Sequence, residues 1–133
     1  MIVVDASVLA VALADDDVDG DTVRARLRGE DLVAPELVDL EVASVLRRQT
    51  RDGLIDARRV GLAFADLAAM PLHRARHLPL LTRSWELREN LTIYAAAYVS
   101  LAEALQVPLL TGDRRLARAP GPRCEIEVPH RTH

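Results

Sequence analysis

Three acidic residues stand at positions where a carboxylate could do chemistry. Asp5 follows the apolar run 2–4, Glu41 lies in an amphipathic segment, and Asp113 follows the apolar run 107–111. Carboxylates that converge without basic partners repel one another, and their usual stabiliser is a hard divalent cation such as Mg²⁺ or Mn²⁺. The three residues therefore predict a site for such a cation, provided that the fold brings them together.

The segment before Asp5 is typical of a buried parallel strand, because it is short, apolar and rich in β-branched residues. In an open α/β sheet, ligands bind outside the carboxyl ends of the strands, which would put Asp5 where functional acids lie. The alternative is that Asp5, or Ser7 after it, only caps the following helix. The other two acids favour the functional interpretation.

Glu41 interrupts the amphipathic pattern of the helix predicted over residues 36–51. The apolar residues gather on one face of this helix, and Glu41 lies on that face between Leu37 and Val45. An inward carboxylate costs several kcal/mol unless it is paired or bound to a cation. The alternative to a cation is an ion pair with Arg48, which lies on the same face.

A strong helix is predicted over residues 92–105, with Thr92 as its N-cap. This places Ala95 at the third helical position, which favours an acid because of the capping box and the helix dipole. Tyr94 and Tyr98 lie one turn apart on this helix, and one of them could stack on a base. Contact with the core or with a second subunit is the commoner role for such tyrosines.

Hydroxyl and basic side chains flank the acids. Ser7 and Thr111 could hydrogen-bond the carboxylates or the waters of a metal ion, although capping and turn formation explain them equally well. Arg114 and Arg115 follow Asp113 and are candidates for contact with phosphate groups, the alternative being a solvated turn.

The composition excludes several classes of protein. No apolar run approaches the roughly 20 residues of a membrane span, and the start of the chain lacks the basic region of a signal peptide, so we expect a cytoplasmic protein without a membrane partner. The single cysteine, Cys124, rules out an internal disulfide and is expected to pack in the core. All 17 cationic side chains are Arg, and the absence of Lys excludes a Walker P-loop.

The alternation of short strands and helices predicts an α/β fold with three layers, in which helices flank a mainly parallel central sheet. We expect one domain over residues 1–133, with the last few residues as a tail. Strands are expected at 2–4, 32–34, 71–73, 107–111 and 124–128. Helices are expected at 6–14, 22–28, 36–51, from 56 to about 67, at 79–89, 92–105 and 114–118.

Four blocks of the sequence, taken in order, resemble the PIN-domain proteins of the VapC toxin type. The blocks are Val3-Val4-Asp5-Ala6-Ser7, Glu41-Val42-Ala43-Ser44-Val45-Leu46-Arg47, the helix from Tyr94 to Glu103, and Leu109-Leu110-Thr111-Gly112-Asp113-Arg114-Arg115-Leu116-Ala117. The resemblance covers nearly the whole chain. It implies a PIN-like fold and an endoribonuclease that cleaves RNA with Mg²⁺ or Mn²⁺.

The same resemblance implies residue roles and partners. Asp5, Glu41 and Asp113 would be the catalytic and metal-binding residues. The partners would be an RNA substrate, a cognate VapB-type antitoxin that covers the acidic site, and a second copy of the chain in a homodimer.

The sequence departs from the family pattern at Ala95, where the third metal-binding aspartate normally stands. The flanking residues keep the pattern, which indicates a single replacement, either natural or introduced. Loss of one of four carboxylates should weaken metal binding and lower turnover. The leading hypothesis is thus an impaired endoribonuclease, and the alternative is an inactive PIN module that binds antitoxin or RNA without turnover.

Overall fold

The computed structural model describes residues 1–130, and its centre is a sheet of five parallel strands. The strands are β1 (Ile2–Val4), β2 (Leu32–Pro35), β3 (Leu72–Ala75), β4 (Leu109–Leu110) and β5 (Ile126–Glu127). Their order across the sheet is β3-β2-β1-β4-β5, with every neighbouring pair parallel. The predicted α/β architecture is confirmed, and the sheet is wholly rather than mainly parallel.

Seven α-helices and one short 3₁₀ turn connect the strands in the described part of the chain. They are α1 (Ala6–Ala14), α2 (Val18–Leu27), α3 (Val38–Arg51), α4 (Ala57–Ala69), the 3₁₀ turn Leu78–Leu80, α5 (Leu81–Glu86), α6 (Ile93–Leu105) and α7 (Arg114–Arg118). Helices α1 to α4 pack on one another, whereas α6 packs on α5, β1, β2 and β4.

The strand order creates a switch point between β1 and β4. From β1 the chain proceeds outward through β2 to β3, and it then crosses back to β4 on the other side of β1. Because such crossovers are right-handed, the first four helices cover one face of the sheet and α5 and α6 cover the other. Ligands of open α/β sheets bind at the carboxyl side of such a switch point.

The core explains the apolar character of the first strand. Ile2, Val3 and Val4 are at most 1% exposed, because helices cover both faces of β1. Helix α6 meets the sheet through small and β-branched side chains, among them the fully buried Ala96 and Val99. The central strand and α6 are therefore fixed relative to each other by close packing.

Several predicted boundaries were wrong, for local reasons. Helix α2 begins at Val18 rather than at residue 22, because Asp17 takes the N-cap position and part of the acidic run forms the first turn. Helix α3 begins at Val38, because Pro35 still belongs to β2. The helix expected over residues 79–89 is divided into the 3₁₀ turn and α5.

The predicted caps of three helices are confirmed. The side chains of Asp56 and Thr92 accept hydrogen bonds at the starts of α4 and α6, and Gly53 follows α3 with a φ of 75°. Cys124 is a free thiol, partly buried against the core. Within residues 1–130, no helix is long and apolar enough to cross a membrane. Part of the predicted tail, residues 131–133, lies outside the described residues.

Candidate active site

Asp5 stands at the carboxyl end of the central strand and is held by neutral donors. Its Oδ1 atom accepts hydrogen bonds from the Ser7 hydroxyl at 2.6 Å and from the Val8 backbone N–H at 3.1 Å. Its Oδ2 atom accepts a short hydrogen bond from the Thr111 hydroxyl. Asp5 is thus the N-cap of α1 and also a carboxylate at the switch point. The predicted cap is confirmed, and the functional role of Asp5 stays a prediction.

Backbone N–H groups of the turn after β4 hold the two hydroxyls that donate to Asp5. The Gly112 N–H donates to the Ser7 hydroxyl at 3.0 Å, and the Asp113 N–H donates to the Thr111 hydroxyl at 3.0 Å. A Cβ atom at Gly112 would lie 3.0 Å from the Ser7 oxygen, so the glycine permits this close approach. Ser7 and Thr111 therefore tie the carboxyl ends of the two neighbouring strands together around one carboxylate.

Glu41 reaches the same region from helix α3 and is held by a tyrosine. The Tyr98 hydroxyl donates to Glu41 Oε1 at 2.6 Å, across 57 residues of sequence. In the described residues no ion pair joins Glu41 to Arg48, so the alternative partner is not the one observed. The inward direction predicted for Glu41 agrees with the structure, because its side chain points toward α6.

One cavity of about 380 Å³ brings the predicted residues together. Its lining includes all three acids, the Ser7 hydroxyl and the methyl group of Ala95. Asp113 lies at the rim, where its carboxylate caps α7 by accepting from the Arg115 N–H at 2.9 Å. The remaining lining residues come from α1, α3, α6 and α7 and from the turn before α6: Ala6, Ser44, Val45, Arg48, Thr92, Tyr94, Tyr98 and Leu116.

Burial and hydrogen bonding act against each other at Asp5. Burial raises the pKa of the Asp5 carboxyl above its usual value, while the bonds from Ser7, Thr111 and the backbone lower the pKa in part. Burial and the neighbouring Glu41 carboxylate likewise raise the pKa of Tyr98, which keeps its hydroxyl protonated as a donor. A bound cation would favour the ionised form of Asp5 and lower its pKa.

The oxygen atoms that line the cavity are of the kind that a hard divalent cation binds, but too few carboxylates are arranged as ligands of one ion. Carboxylate and hydroxyl oxygens surround the cavity, and such oxygens are the ligands that Mg²⁺ and Mn²⁺ take in proteins. Among residues 1–130, however, no group of three or more His, Cys, Asp or Glu side chains is arranged to hold a metal ion. Asp5, Glu41 and Asp113 therefore line one cavity without being grouped as ligands of one ion, and Ala95 adds a methyl group to the lining.

The basic residues predicted near the site are exposed. Arg114 and Arg115 lie on the solvent side of α7, and Arg115 Nε is 3.5 Å from Asp113 Oδ1. Tyr94 is 65% exposed, whereas Tyr98 is buried. The sequence did not identify Tyr98 as a partner of Glu41, since nothing local connects residues so far apart in the chain.

Comparison with known proteins identifies the family of this chain. Residues 2–122 match the family model of the PIN domain. Ribonuclease VapC1 of Mycobacterium tuberculosis is 42% identical over 127 residues, which cover 95% of this chain and 96% of that protein. The predicted resemblance is therefore confirmed at the level of sequence.

Two solved structures share the fold. The Mycobacterium tuberculosis toxin VapC20, described as cleaving the sarcin–ricin loop, has a TM-score of 0.70 at 15% identity and covers 89% of this chain and 94% of its own. A chain of VapBC2 from Rickettsia felis, bound to a fragment of promoter DNA, has a TM-score of 0.69 at 15% identity. The match covers 98% of this chain and 100% of that one. Fold, family model and sequence identity together place this chain in the PIN-domain family, among the VapC ribonucleases.

Proposed function

We propose that the protein is a VapC-type endoribonuclease that cleaves RNA phosphodiester bonds with Mg²⁺ or Mn²⁺, and that Ala95 impairs this chain. The observation that carries the proposal is the cavity at the switch point. There Asp5 and Glu41 are held by neutral hydroxyl donors, and no arginine forms an ion pair with either in the described residues. Their negative charge is left for a cation.

Each residue has a distinct part in this proposal. Asp5, Glu41 and Asp113 would hold the ion, which when bound would polarise a phosphodiester oxygen and lower the pKa of a coordinated water. Ser7 and Thr111 orient the Asp5 carboxylate. Arg114 and Arg115, which are exposed outside the cavity, would contact the phosphates that flank the cleaved bond.

Ala95 limits what the site can do. A carboxylate at this position would enter the cavity from the first turn of α6, the end of a helix that favours negative charge. Without it, fewer carboxylates remain to compensate for the waters that a divalent ion must release. We therefore propose weak metal binding and low turnover for this chain.

A second function is favoured by Ala95 itself. A PIN module without turnover would still present the same surfaces to an antitoxin or to RNA. Antitoxin binding that persists while cleavage is absent would support this alternative, and efficient cleavage by the unmodified chain would contradict it.

The proposed protein partners are a VapB-type antitoxin and a second copy of the chain. The solved VapBC2 assembly from Rickettsia felis supports an antitoxin, since it joins a toxin of this fold to its partner. Analytical ultracentrifugation of the chain, alone and with a cognate antitoxin, tests both partners. A monomer at all concentrations would contradict the homodimer, and failure to form a heteromeric species would contradict the antitoxin.

Cleavage of total RNA is the direct test of the proposed function. This chain, Ala95→Asp and the uncharged control Ala95→Asn are compared with Mg²⁺, with Mn²⁺ and with a chelator. We expect the Asp variant to cut RNA at least about 10-fold faster than the other two, and only with metal, because the carboxylate completes the ligand set. Cleavage in the chelator, or no cleavage by any form, would count against the proposal.

A further inference from the structure

Tyr98 makes an unusual contact for a core residue. It is only 3% exposed, yet its hydroxyl donates to a carboxylate, Glu41, at 2.6 Å. Tyr98 and Glu41 line the cavity together with Asp5 and Ala6. Tyr98 thus links helix α6 to helix α3 at the wall of the cavity.

Packing alone does not require this arrangement. A buried tyrosine needs a partner for its hydroxyl, but a backbone carbonyl would serve, as it does for the hydroxyl of Ser100 on the same helix. A charge-assisted bond is stronger and holds its acceptor in one orientation. The acceptor here is an acid that lines the cavity, and no other hydrogen bond to the Glu41 side chain is found in the described residues.

The position of Tyr98 on α6 adds a second relation. Ala95 lies three residues earlier, on the same side of the helix, and both residues line the cavity. Tyr98 and its neighbours in sequence, Ala97 and Val99, are all buried, so this part of α6 is held in the core. The helix that presents position 95 therefore also fixes Glu41, so one rigid element sets the geometry of both.

We propose that Tyr98 is a positioning residue for the metal site: its hydroxyl fixes the Glu41 carboxylate relative to Asp5. The inference rests on the proposed function and adds to it a residue that touches neither metal nor substrate. In proteins whose metal ligands have such supporting hydrogen bonds, loss of one bond typically weakens metal affinity about 10–100-fold.

The test removes the hydroxyl and keeps the ring. Tyr98→Phe is made in the Ala95→Asp background, and Ser100→Ala in the same background is the control, since it deletes a buried hydroxyl of α6 that has no contact with the acids. Mn²⁺ affinity is measured by electron paramagnetic resonance, and thermal unfolding is recorded without metal. We expect Tyr98→Phe to raise the Kd for Mn²⁺ about 10-fold, and Ser100→Ala to leave the Kd unchanged.

The possible results separate the two levels of the proposal. If Ala95→Asp binds Mn²⁺ and Tyr98→Phe binds it equally well, the positioning role is wrong and the metal site stands. If Ala95→Asp binds no Mn²⁺, the metal site fails and the positioning role fails with it.

A metal-free crystal structure of Tyr98→Phe gives a readout independent of affinity. We expect the Glu41 side chain to adopt a different rotamer there, because the hydrogen bond from the Tyr98 hydroxyl is gone. An unchanged Glu41 side chain would overturn the inference, whatever the affinity.

Discussion

The carboxylates that line the cavity and the carboxylates outside it have different partners. Outside the cavity, arginines hold carboxylates in ion pairs, such as Arg59 with Asp16 at 2.9 Å, Arg74 with Asp39 at 2.7 Å and Arg83 with Glu103 at 2.7 Å. In the cavity, the carboxylates of Asp5 and Glu41 accept from Ser, Thr and Tyr hydroxyls. Asp113, at the rim of the cavity, shares features of both groups, because it lines the cavity and its Oδ1 atom lies 3.5 Å from Arg115 Nε.

The difference shows what each group of acids is arranged to do. An arginine neutralises a carboxylate and fixes an element, whereas a hydroxyl orients a carboxylate and leaves its charge in place. Oriented, uncompensated charge destabilises the apo fold, because burial already raises the pKa of Asp5. In the proposed function, a divalent cation would be the partner that reverses this cost.

Removal of the Asp5 charge should give the largest effect. Asp5→Asn in the Ala95→Asp background keeps the helix cap but removes a proposed ligand, so we expect RNA cleavage to fall by at least about 100-fold. Asp113→Asn provides the comparison at the exposed rim. Asp5→Asn activity within a few-fold of its parent would contradict the assignment of Asp5.

The same Asp5→Asn variant should be more stable than its parent without metal. Because the folded pKa of Asp5 lies above the unfolded value of 3.8, the native state binds the proton better, and stability falls as pH rises through that window. We therefore expect a higher Tm for Asp5→Asn at neutral pH, and a gain that shrinks below about pH 4. A lower Tm at neutral pH would show that Asp5 is stabilised by its neighbours.

The Thr111 hydroxyl should have the next largest effect. Thr111→Val keeps the shape of this fully buried residue but deletes the bond to Asp5 and the acceptor for the Asp113 N–H. We expect cleavage by the Ala95→Asp form to fall about 10-fold and stability to fall about 1–2 kcal/mol. Ser84→Ala removes a buried hydroxyl away from the cavity and should lower stability with no loss of cleavage.

Breaking an arginine-held acid should affect stability alone. Glu103 accepts from Arg83 and from the Arg123 N–H, which ties the segment before β5 to α6. We expect Glu103→Gln to lower the free energy of unfolding by about 1 kcal/mol, since the pair is only partly buried, and to leave RNA cleavage and Mn²⁺ affinity unchanged. Loss of cleavage at equal stability would erase the distinction between the two groups of acids.

The smallest effect is expected at the pair of Arg26 and Glu127. The two bonds from Arg26 lower the pKa of the Glu127 carboxyl below its usual value of 4.5, so the stability it contributes is present above that pH and is lost as pH falls below it. Glu127→Gln should cost about 0.5 kcal/mol at neutral pH, because a third of the side chain is exposed, and nothing near pH ~3. Urea denaturation at the two pH values checks this, and an equal cost at both would be inconsistent with an ionic contribution.

The elements that position the site were predictable because their patterns are local. The apolar run before Asp5, the N-cap at Thr92 and the glycine after α3 each depend on a few neighbouring residues. The inward direction of Glu41 followed from helical periodicity. These features were sufficient to name three acids that line one cavity.

The contacts between the elements were not predictable from one sequence. The bond between Tyr98 and Glu41 spans 57 residues, and the bond between Thr111 and Asp5 spans 106. Both depend on strand order and helix packing, which local patterns do not specify. The start of α2 was missed for the opposite reason: acidic residues that favour a loop also favour the first turn of a helix.

A crystal of Ala95→Asp soaked in Mn²⁺ tests most directly whether the acids held by neutral donors form the metal site. We expect an anomalous difference peak inside the cavity, in contact with Asp5 and Glu41. A peak at the exposed acidic run 15–17, with none in the cavity, would contradict this assignment, and so would a crystal without any bound Mn²⁺.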